Sequence, residues 1–482
     1  MTIALQYLDD LSRVRITITD WPDGTVQVQR SLNPNATDAV WERGIVRGGR
    51  ALPVSGGTAV LDDYEFVPDV PNYYRVVPID PPAGLLLTGQ AGDYASTPDD
   101  ASLDITGDLT LVVDATPAGG WDSPAANQVL IAKYVTTGNN RSYRLRQLAS
   151  TGILRFNWSP DGTNLPTADS SAPVSDVAAE GRLAVAVEFD VDVGGASNQA
   201  AFYTAATADG PWAQLGDPAT AAGTTSIFSG SAELSVGAQQ LGTSEPFTGI
   251  IHRAKVIAGS LATGDVRCDV DFTKQPFGTT SFEDDTGLTW TVHGNALIVG
   301  AEMGSITPSL DGKVWLKSVR YPMLNRPLFR VLDQGDDIAR PDRGSVHEVT
   351  GRAAPLSVED VQGSRRFNLL IQAEDDEDAA ALEIALQVGG VLFVHVPPDK
   401  PVPGGYVHVG QVRRQRPTTL VRHRFVVPCT VVAKPSPDVV GTTLTVGQLI
   451  AQHDSIESVW AAYPSIRDMW DDIGDINDLV VI

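Results

Sequence analysis

The sequence predicts a mainly β protein with several domains. Glycine (45 residues) and proline (32 residues) are frequent, as expected where short strands are joined by turns. Apolar and polar residues alternate along many segments, beginning with Val14, Ile16 and Ile18, and this period of two is typical of strands with one buried face. At 482 residues the chain is too long for one ordinary core, so about three domains are expected.

The charge and the cysteine content exclude several classes of protein. With 59 acidic and 35 basic residues the net charge is -24, so no broad cationic surface for nucleic acid is expected. The only cysteines, Cys268 and Cys429, lie far apart and suggest no disulfide framework. The first residues lack a signal-peptide pattern, and no apolar run approaches the ~18 residues of a membrane span. We therefore expect a protein made in a cytoplasm, without a membrane span.

The first 100 residues predict a small sandwich followed by a linker. A hairpin turns at Asp23-Gly24, and further strands are expected around Trp41, around Val60 and over Tyr73–Ile79. Residues 1–80 are assigned to this sandwich. Residues 81–100 are rich in proline, glycine and small polar residues, which favours a linker.

Residues 101–304 predict a second, larger sandwich. Apolar strand patterns recur and are separated by turns such as SPDGT at 159–163. The predicted strands cover 109–115, 129–134, 142–148, 153–159, 183–191 and 200–205.

The remainder of the chain predicts an α+β domain over 305–440 and short helices over 441–482. A helix is expected from Glu374 to Leu386, with acidic residues in its first turn and Gly389-Gly390 after its end. The near-repeat SIESVW and SIRDMW places Trp460 and Trp470 on apolar faces of two short helices. These tryptophans must pack on another surface, which belongs either to a partner protein or to their own domain.

Three stretches together resemble the minor tail proteins of long-tailed, siphovirus-type phages that infect actinobacteria. They are VRGGRALPVSGGTAVLDDYEFVPDVPNYYRVVPI at 46–79, VTGRAAPLSVEDVQGSRRFNLLI at 349–371 with the strands that follow it, and the terminal repeat. The resemblance implies a fibronectin-like sandwich at the start, a tail-assembly domain over 305–440, and oligomer or partner contacts at the end. It also implies a virion component whose partners are other tail proteins and copies of itself.

The central block resembles a concanavalin A-like sandwich of the laminin G type. The resemblance rests on LDITGDLTLVVDATP at 103–117, on 131–163, on RLAVAVEFDVD at 182–192 and on FTGIIHRAKVIAG at 247–259. It implies a jelly-roll sandwich and, in a phage tail, recognition of a carbohydrate on the host surface. The expected ligand is a cell-wall glycan.

The stretch EFDVDV raises the alternative of an enzyme. Glu188, Asp190 and Asp192 would share one face of a strand, as the acids of retaining β-glucanases do. However, Gly194-Gly195 suggests that the strand ends there, and an exposed strand end does not supply the raised pKa of a general acid. No GxSxG, HExxH or P-loop pattern occurs. We predict that the chain is not an enzyme, with a glycan depolymerase as the alternative.

Aromatic side chains are the candidates for carbohydrate binding, because sugars stack on aromatic rings. The candidates are Trp121, Tyr143, Trp158, Tyr203 and Trp212. Trp121 and Trp212 are favoured because they lie in loop-like segments, whereas Trp158 and Tyr203 lie in strand patterns and are equally well explained as core residues.

No cofactor is expected, and a bound calcium ion is the alternative. Carboxylates that could contribute are Asp104, Asp108, Asp271, Glu283, Asp284 and Asp285. No stretch matches a DxDxDG loop, and scattered surface acids are ordinary in so acidic a chain. His395 and His408 could approach each other on neighbouring strands, but a third metal ligand is missing, so we predict no metal site.

A basic segment at 411–425 is predicted to contact a partner. Its arginines are Arg413, Arg414, Arg416, Arg422 and Arg424. In an acidic chain they would complement an acidic neighbour. The alternative is a solvated strand edge, where arginine discourages accidental pairing.

Overall fold

The structure is a computed structural model and describes residues 2–122, 124–174, 181–332, 338–342, 345–347, 350, 353, 356–358, 362–416 and 422–438. These residues form two compact units, one made of residues 77–302 and the other of residues 2–76 together with the described residues from 303 onward. Strands dominate both units. The prediction of a mainly β protein is confirmed.

Residues 2–80 form the first six strands and one short helix. The strands are β1 (Thr2–Leu8), β2 (Arg13–Thr19), β3 (Gly24–Ser31), β4 (Leu52–Val54), β5 (Ala59–Asp63) and β6 (Asn72–Asp80), and helix α1 is Asp38–Arg43.

The described residues between 84 and 299 form seventeen strands. They are β7 (Gly84–Thr88), β8 (Tyr94–Thr97), β9 (Leu109–Pro117), β10 (Gln128–Val135), β11 (Asn140–Gln147), β12 (Leu154–Trp158), β13 (Thr167–Asp169), β14 (Leu183–Gly194), β15 (Ser197–Ala205), β16 (Ala213–Gln214), β17 (Ala219–Ala222), β18 (Leu234–Val236), β19 (Thr248–Ala258), β20 (Asp265–Asp271), β21 (Ser281–Glu283), β22 (Thr289–His293) and β23 (Leu297–Val299). Short 3₁₀ helices lie at Ala101–Leu103, Thr137–Asn139 and Phe272–Lys274.

The described residues from 302 onward form the remaining strands and a second helix. The strands are β24 (Glu302–Ile306), β25 (Trp315–Ser318), β26 (Arg326–Pro327), β27 (Arg330–Leu332), β28 (Ser345–His347), β29 (Leu356–Val358), β30 (Arg366–Gln372), β31 (Val391–His395), β32 (Gly405–Val409), β33 (Arg413–Gln415) and β34 (Arg424–Val431); helix α2 is Asp376–Gln387, and a 3₁₀ helix covers Pro322–Leu324.

The unit of residues 77–302 is a two-sheet antiparallel sandwich. One sheet has the order β13-β12-β11-β10-β18-β8-β22-β21, and the other has the order β16-β15-β14-β9-β19-β7-β23, with β17 paired to β15 and β20 paired to β19. Alternate residues of the strands point between the sheets and form one continuous apolar core, to which β14 contributes Val185, Val187 and Phe189. This agrees with the predicted jelly-roll class.

Residues 81–100 are part of this sandwich, which corrects the prediction of a linker. Strand β7 pairs with β19 and β23, and β8 pairs with β18 and β22, so each sheet takes one inner strand from this segment. Leu85, Leu87 and Ala95 are buried in the core. The proline and glycine residues that suggested a linker lie in the turns around two short strands. The other predicted domain boundaries stay predictions.

The described residues of the other unit form three sheets of more than two strands. Strands β1, β2 and β5 form one sheet, and β24, β6, β3 and β4 form a second. Val14, Ile16 and Ile18 of β2 are fully buried, so the alternation in the sequence identified the buried face of this strand correctly. The third sheet has the order β26-β25-β31-β32-β34-β30-β27, with β33 paired to β34.

The predicted helix over Glu374–Leu386 is present as α2. The side chain of Asp375 accepts a hydrogen bond from the backbone N–H of Asp378 at 2.7 Å and so caps the helix start. Ala379 and Leu382 pack into the core of the third sheet. Gly389 and Gly390 adopt φ angles of 74° and 87° just beyond the helix, which residues with a Cβ rarely adopt.

The two C-terminal helices predicted over 441–482 lie outside the described residues. Among the described residues, no helix is long and apolar enough to cross a bilayer.

Candidate functional site

The outer face of the nine-stranded sheet carries an apolar patch of its own. Along β14, Val185 and Val187 point into the core, so Ala186 between them points outward. Val112 and Ile257 point outward from the neighbouring strands β9 and β19, and these three residues form a cluster with Ala208. We call this cluster, on the side of the sheet opposite the core, the outer floor.

Two aromatic side chains lie on the outer floor and remain partly exposed. Tyr203 projects from β15, and Trp212 lies just before β16; both pack against the outer floor. Burial raises the pKa of the Tyr203 hydroxyl, and the nearby Glu188 carboxylate adds to this shift. The outer floor therefore supports two rings that solvent can reach, which is the arrangement that the pyranose face of a sugar requires.

A fixed network of charged groups borders these rings. Asp209 accepts hydrogen bonds from Lys255 Nζ at 2.6 Å and from Arg253 Nη1 at 2.8 Å. Arg253 also donates two bonds of 2.7 Å to Asp269, so its guanidinium is held in one plane. The bond from Lys255 is the main reason why the pKa of Asp209 is lowered. The Asp209 side chain is 64% exposed, so a ligand can reach its carboxylate.

Three of the five predicted carbohydrate-binding residues do not reach solvent. Trp121 and Tyr143 are fully buried and Trp158 is 4% exposed, and all three belong to the sandwich core. The indole N–H of Trp121 donates to the carbonyl of Gly181 at 3.1 Å, and that of Trp158 donates to Thr225 Oγ1 at 3.2 Å. These residues stabilise the fold, which corrects their assignment as sugar platforms. Of the five, Tyr203 and Trp212 stay candidates for that role.

The carboxylates of EFDVDV are engaged with the backbone. Glu188 Oε2 accepts from the N–H of Leu261 at 2.6 Å, and Asp190 Oδ1 accepts from the N–H of Asp192 at 2.8 Å. Asp192 Oδ1 in turn accepts from the N–H of Gly194 at 3.1 Å. Glu188 therefore stabilises the loop after β19, whereas Asp190 and Asp192 stabilise the backbone of the last residues of β14.

We expect Glu188→Gln and Asp190→Asn to leave any glycan binding unchanged. Each amide keeps a side-chain oxygen that can accept the same backbone N–H. Glycan retention and the release of reducing ends should be measured side by side in both variants. A large loss of cleavage, in a parent protein that cleaves, would show that these acids are catalytic.

Five of the six carboxylates proposed as calcium ligands have protein partners. Asp284 accepts from Trp290 Nε1 at 3.1 Å, Asp108 accepts from the N–H of Val191 at 3.0 Å, and Asp285 pairs with Lys274 at 2.7 Å. Within the described ranges, no group of three or more His, Cys, Asp or Glu side chains is arranged to hold a metal ion.

The two histidines considered together lie apart. Strand register places His408 opposite Val391, four residues from His395. His395 is buried, whereas His408 is exposed, so the idea that they approach each other is wrong.

The outer face of the other sheet carries a second group of polar side chains, which no sequence motif indicated. Arg144 lies 4.5 Å above the ring of Tyr134 and donates to Gln239 Oε1 at 2.6 Å. Beside them the loop 239–245 borders a shallow cleft of about 620 Å³, lined by Val135, Thr136, Thr137, Gln240, Leu241, Thr243 and Ser244. Its polar side chains are largely bonded to one another, as Gln240 is to Thr136. The face around Tyr203 and Trp212 is therefore the stronger candidate.

The alternation of residues along β19 predicts part of the charged network. Within β19, Ala254 and Val256 point into the core, so Arg253 and Lys255 must share the outer face. The position of Asp209 could not be predicted, because it depends on how the loop after β15 folds back over the sheet.

Of the residues predicted to contact a partner, Arg414 has partners within its own chain. It donates to Glu383 at 2.6 Å and to His423 at 3.2 Å. Arg413, Arg416 and Arg422 are exposed, and Arg424 is half-buried. Trp460 and Trp470 lie outside the described residues.

Comparison with known proteins shows no relative by sequence. No protein-family model matches the chain. No curated protein matches it either.

Solved structures give only weak similarities. The CBM40 domain of a Ruminococcus gnavus IT-sialidase bound to α2,6-sialyllactose is 19% identical, with a TM-score of 0.27, and the match covers 37% of this chain and 92% of that chain. Domains LG4-5 of the mouse laminin α1 chain are 12% identical, with a TM-score of 0.26, covering 73% of this chain and 82% of that chain. The enzymatically active domain of bacteriophage CBA120 tailspike protein 2 is 12% identical, with a TM-score of 0.21, covering 39% of this chain and 24% of that chain.

Similarities of this strength carry no argument about function. None of these three proteins is named as a minor tail protein. The β-sandwich class of residues 77–302 rests on the sheet order and the core of this chain.

Proposed function

We propose that this chain is a structural component of a phage tail tip and that its sandwich binds a host-surface glycan without cleaving it. The observation that carries the glycan-binding part is the pairing of Tyr203 and Trp212 on the outer floor beside the network of Asp209, Arg253 and Lys255. Stacking on the rings would bind the apolar face of a sugar, and the fixed charged groups would orient its hydroxyls.

The tail part of the proposal is supported by the sequence resemblance over 46–79, 349–371 and the terminal repeat. In this reading, the unit containing the chain ends contributes to assembly with other tail proteins or copies of this chain, and the sandwich is displayed for attachment. Detection of the chain in purified particles by mass spectrometry tests this part. Its absence from tails would contradict it.

A non-catalytic role is supported by the use of the EFDVDV carboxylates as backbone acceptors. A glycan depolymerase is the second candidate function. It differs in one measurable product, since it would release new reducing ends from the glycan whereas a binding module would only retain it.

Trp212→Ala is expected to reduce glycan retention at least about tenfold, because an aromatic contact at the centre of a binding site is often worth 1–3 kcal/mol or more. The measurement is co-sedimentation of the full chain with actinobacterial cell-wall polysaccharide. Trp212→Phe keeps a ring and should lose less. Tyr203→Ala should weaken retention in the same direction.

Leu241→Ala is the matched control for these variants. Leu241 is 56% exposed on the loop that borders the other sheet, so its truncation also removes an exposed apolar side chain. We expect retention and melting temperature to stay at the parent values. If Leu241→Ala reduces retention and Trp212→Ala does not, the site lies on the other face.

A further inference from the structure

One face of the third sheet carries arginines that form no ion pair with any described residue. On β30, Phe367, Leu369 and Ile371 point into the core, so Arg366 and Leu370 lie on the opposite face. Strand register then places the neighbouring side chains on that same face. We call it the arginine face; it comprises Arg330, Leu332, Arg366, Asn368, Leu370, Gln372, Arg413, Gln415, Arg424, Val426, Pro428 and Thr430.

The guanidinium groups of this face have no acidic partner among the described residues. Several arginines outside this face are ion-paired, as Arg253 is with Asp269 and Arg13 is with Asp62. Nε of Arg424 is buried and lacks a hydrogen-bond partner within the described part of the chain. In a chain of net charge -24, a group of four unpaired arginines indicates that an acidic group completes the surface.

The arginine face is also partly apolar. Leu332, Leu370, Val426 and Pro428 are half-buried between the arginines. A free ion would satisfy the charges but would leave these side chains in water. The surface therefore suits a segment that presents carboxylates and large apolar side chains together.

The C-terminal sequence has this composition. Residues 454–472 read DSIESVWAAYPSIRDMWDD and contain five acidic residues and one arginine, a net charge of -4. The apolar members are Ile456, Val459, Trp460, Ile466, Met469 and Trp470. Its charge is thus opposite to that of the arginine face, and its aromatic residues match the apolar part.

The connection is long enough for the segment to reach the face of its own chain. The described residues end at Asp438, and fifteen residues, 439–453, separate it from residue 454. Fully extended, such a stretch spans about 50 Å, more than the width of a single sheet. A segment tethered in this way has a far higher effective concentration than the same segment of a second copy in dilute solution.

We propose that the acidic segment 454–472 docks on the arginine face of its own chain. Carboxylates pair with Arg366, Arg413 and their neighbours, and the two tryptophans cover Leu370 and Val426. This docking is independent of glycan binding. It gives the arginine face an internal partner, which another protein must displace in order to use that surface.

Hydrogen exchange of the full chain tests the docking. In the parent protein at low salt, amides of 454–472 should exchange at least about tenfold more slowly than in Arg366→Glu with Arg413→Glu, because two attractive charge pairs become repulsive. Adding Asp468→Arg and Asp471→Arg to that variant should restore protection. Salt at about 0.5 M should reduce the protection of the parent, since the Debye length then falls below about 5 Å.

Arg267→Glu is the matched control, because it reverses an exposed arginine of the sandwich. It should leave the exchange of 454–472 unchanged. The exchange of β30 and β34 in each variant reports whether the sheet remains folded, and the salt dependence of the parent tests the docking without any substitution.

Three results would overturn the proposal. Equal exchange of 454–472 in the parent and the double variant would show that the segment does not use this face. Protection that increases with protein concentration would assign the face to a second copy. Protection that charge reversal and salt leave unchanged would place the segment elsewhere.

Discussion

Trp121→Ala is expected to lower the free energy of unfolding of the sandwich by about 3–5 kcal/mol, because it removes a large buried ring and leaves a cavity. The Trp121 ring is fully buried in the core. Its N–H is bonded to the carbonyl of Gly181, and its own carbonyl accepts from Gln147 Nε2 at 2.7 Å. Truncation therefore also leaves the Gly181 carbonyl without this donor.

The measurement is the chemical denaturation of Trp121→Ala beside Trp212→Ala. Trp212 lies on the outer floor and is partly exposed, so its truncation should cost much less stability while reducing glycan retention. The two tryptophans thus separate folding from binding. Loss of retention in Trp121→Ala at an unchanged melting temperature would show that Trp121, and not Trp212, contacts the glycan.

Lys317→Met is expected to remove a large part of the pH dependence of stability between pH 7 and pH 10.5. Lys317 is 1% exposed, and its ammonium donates to the carbonyls of Ser12 at 2.5 Å and Tyr64 at 2.8 Å. It also lies 4.8 Å from the ring of Phe66. No carboxylate of the described residues lies within ion-pair distance of it. The ammonium group therefore has only neutral hydrogen-bond partners among the described residues.

Burial and the charged groups around Lys317 determine the direction in which its pKa changes. Burial lowers the pKa of Lys317 to about 7; the negative charges of Asp63 and Glu65 oppose this shift, and Arg30 adds to it. His395 lies nearby, and its own burial and the charge of Lys317 hold its pKa well below the usual range.

Proton linkage determines whether the stability of the fold rises or falls with pH. The folded-state pKa of Lys317 lies below that of the unfolded chain, so the unfolded chain binds more protons between about pH 7 and 10.5. Stability is highest above this window, falls as the pH decreases through it, and changes no further from this group below it. The change in the pKa of Lys317 from 10.5 in the unfolded chain to about 7 in the folded protein corresponds to about 3–5 kcal/mol across the window. His395 adds a further loss as the pH falls below about 6.5.

Denaturation of the parent and of Lys317→Met at several pH values measures this effect as a difference, in which the ionisation of tyrosines cancels. Lys400→Met is the control, because it makes the same chemical change at an exposed site. Its curve should follow that of the parent. Parallel curves for the parent and Lys317→Met would show that the buried amine does not titrate in this window.

Local patterns predicted the elements whose partners lie close in sequence. The alternation around Val14, Ile16 and Ile18 identified a buried strand face, and the acidic start before Gly389-Gly390 identified α2. Both patterns reflect a chain segment that has one apolar side. Such a segment forms nearly the same structure whatever covers that side.

Positions that depend on long-range pairing could not be predicted in the same way. Residues 81–100 became two inner strands because β18 and β19, more than 130 residues later, pair with them. Trp121 resembles a loop residue in sequence, yet the chain around it folds onto the core. The partly exposed Trp212 has a similar local sequence. Burial of an aromatic ring in a loop is decided by tertiary packing, which spacing and composition do not contain.

Incubation of the full chain with actinobacterial cell-wall polysaccharide, with retained protein and new reducing ends measured in the same sample, tests the central claim most directly. The account predicts that the parent is retained, that Trp212→Ala is retained at least about tenfold less, and that reducing ends stay at the level of the protein-free control. Release of oligosaccharides by the parent, with retention independent of Trp212, would contradict it.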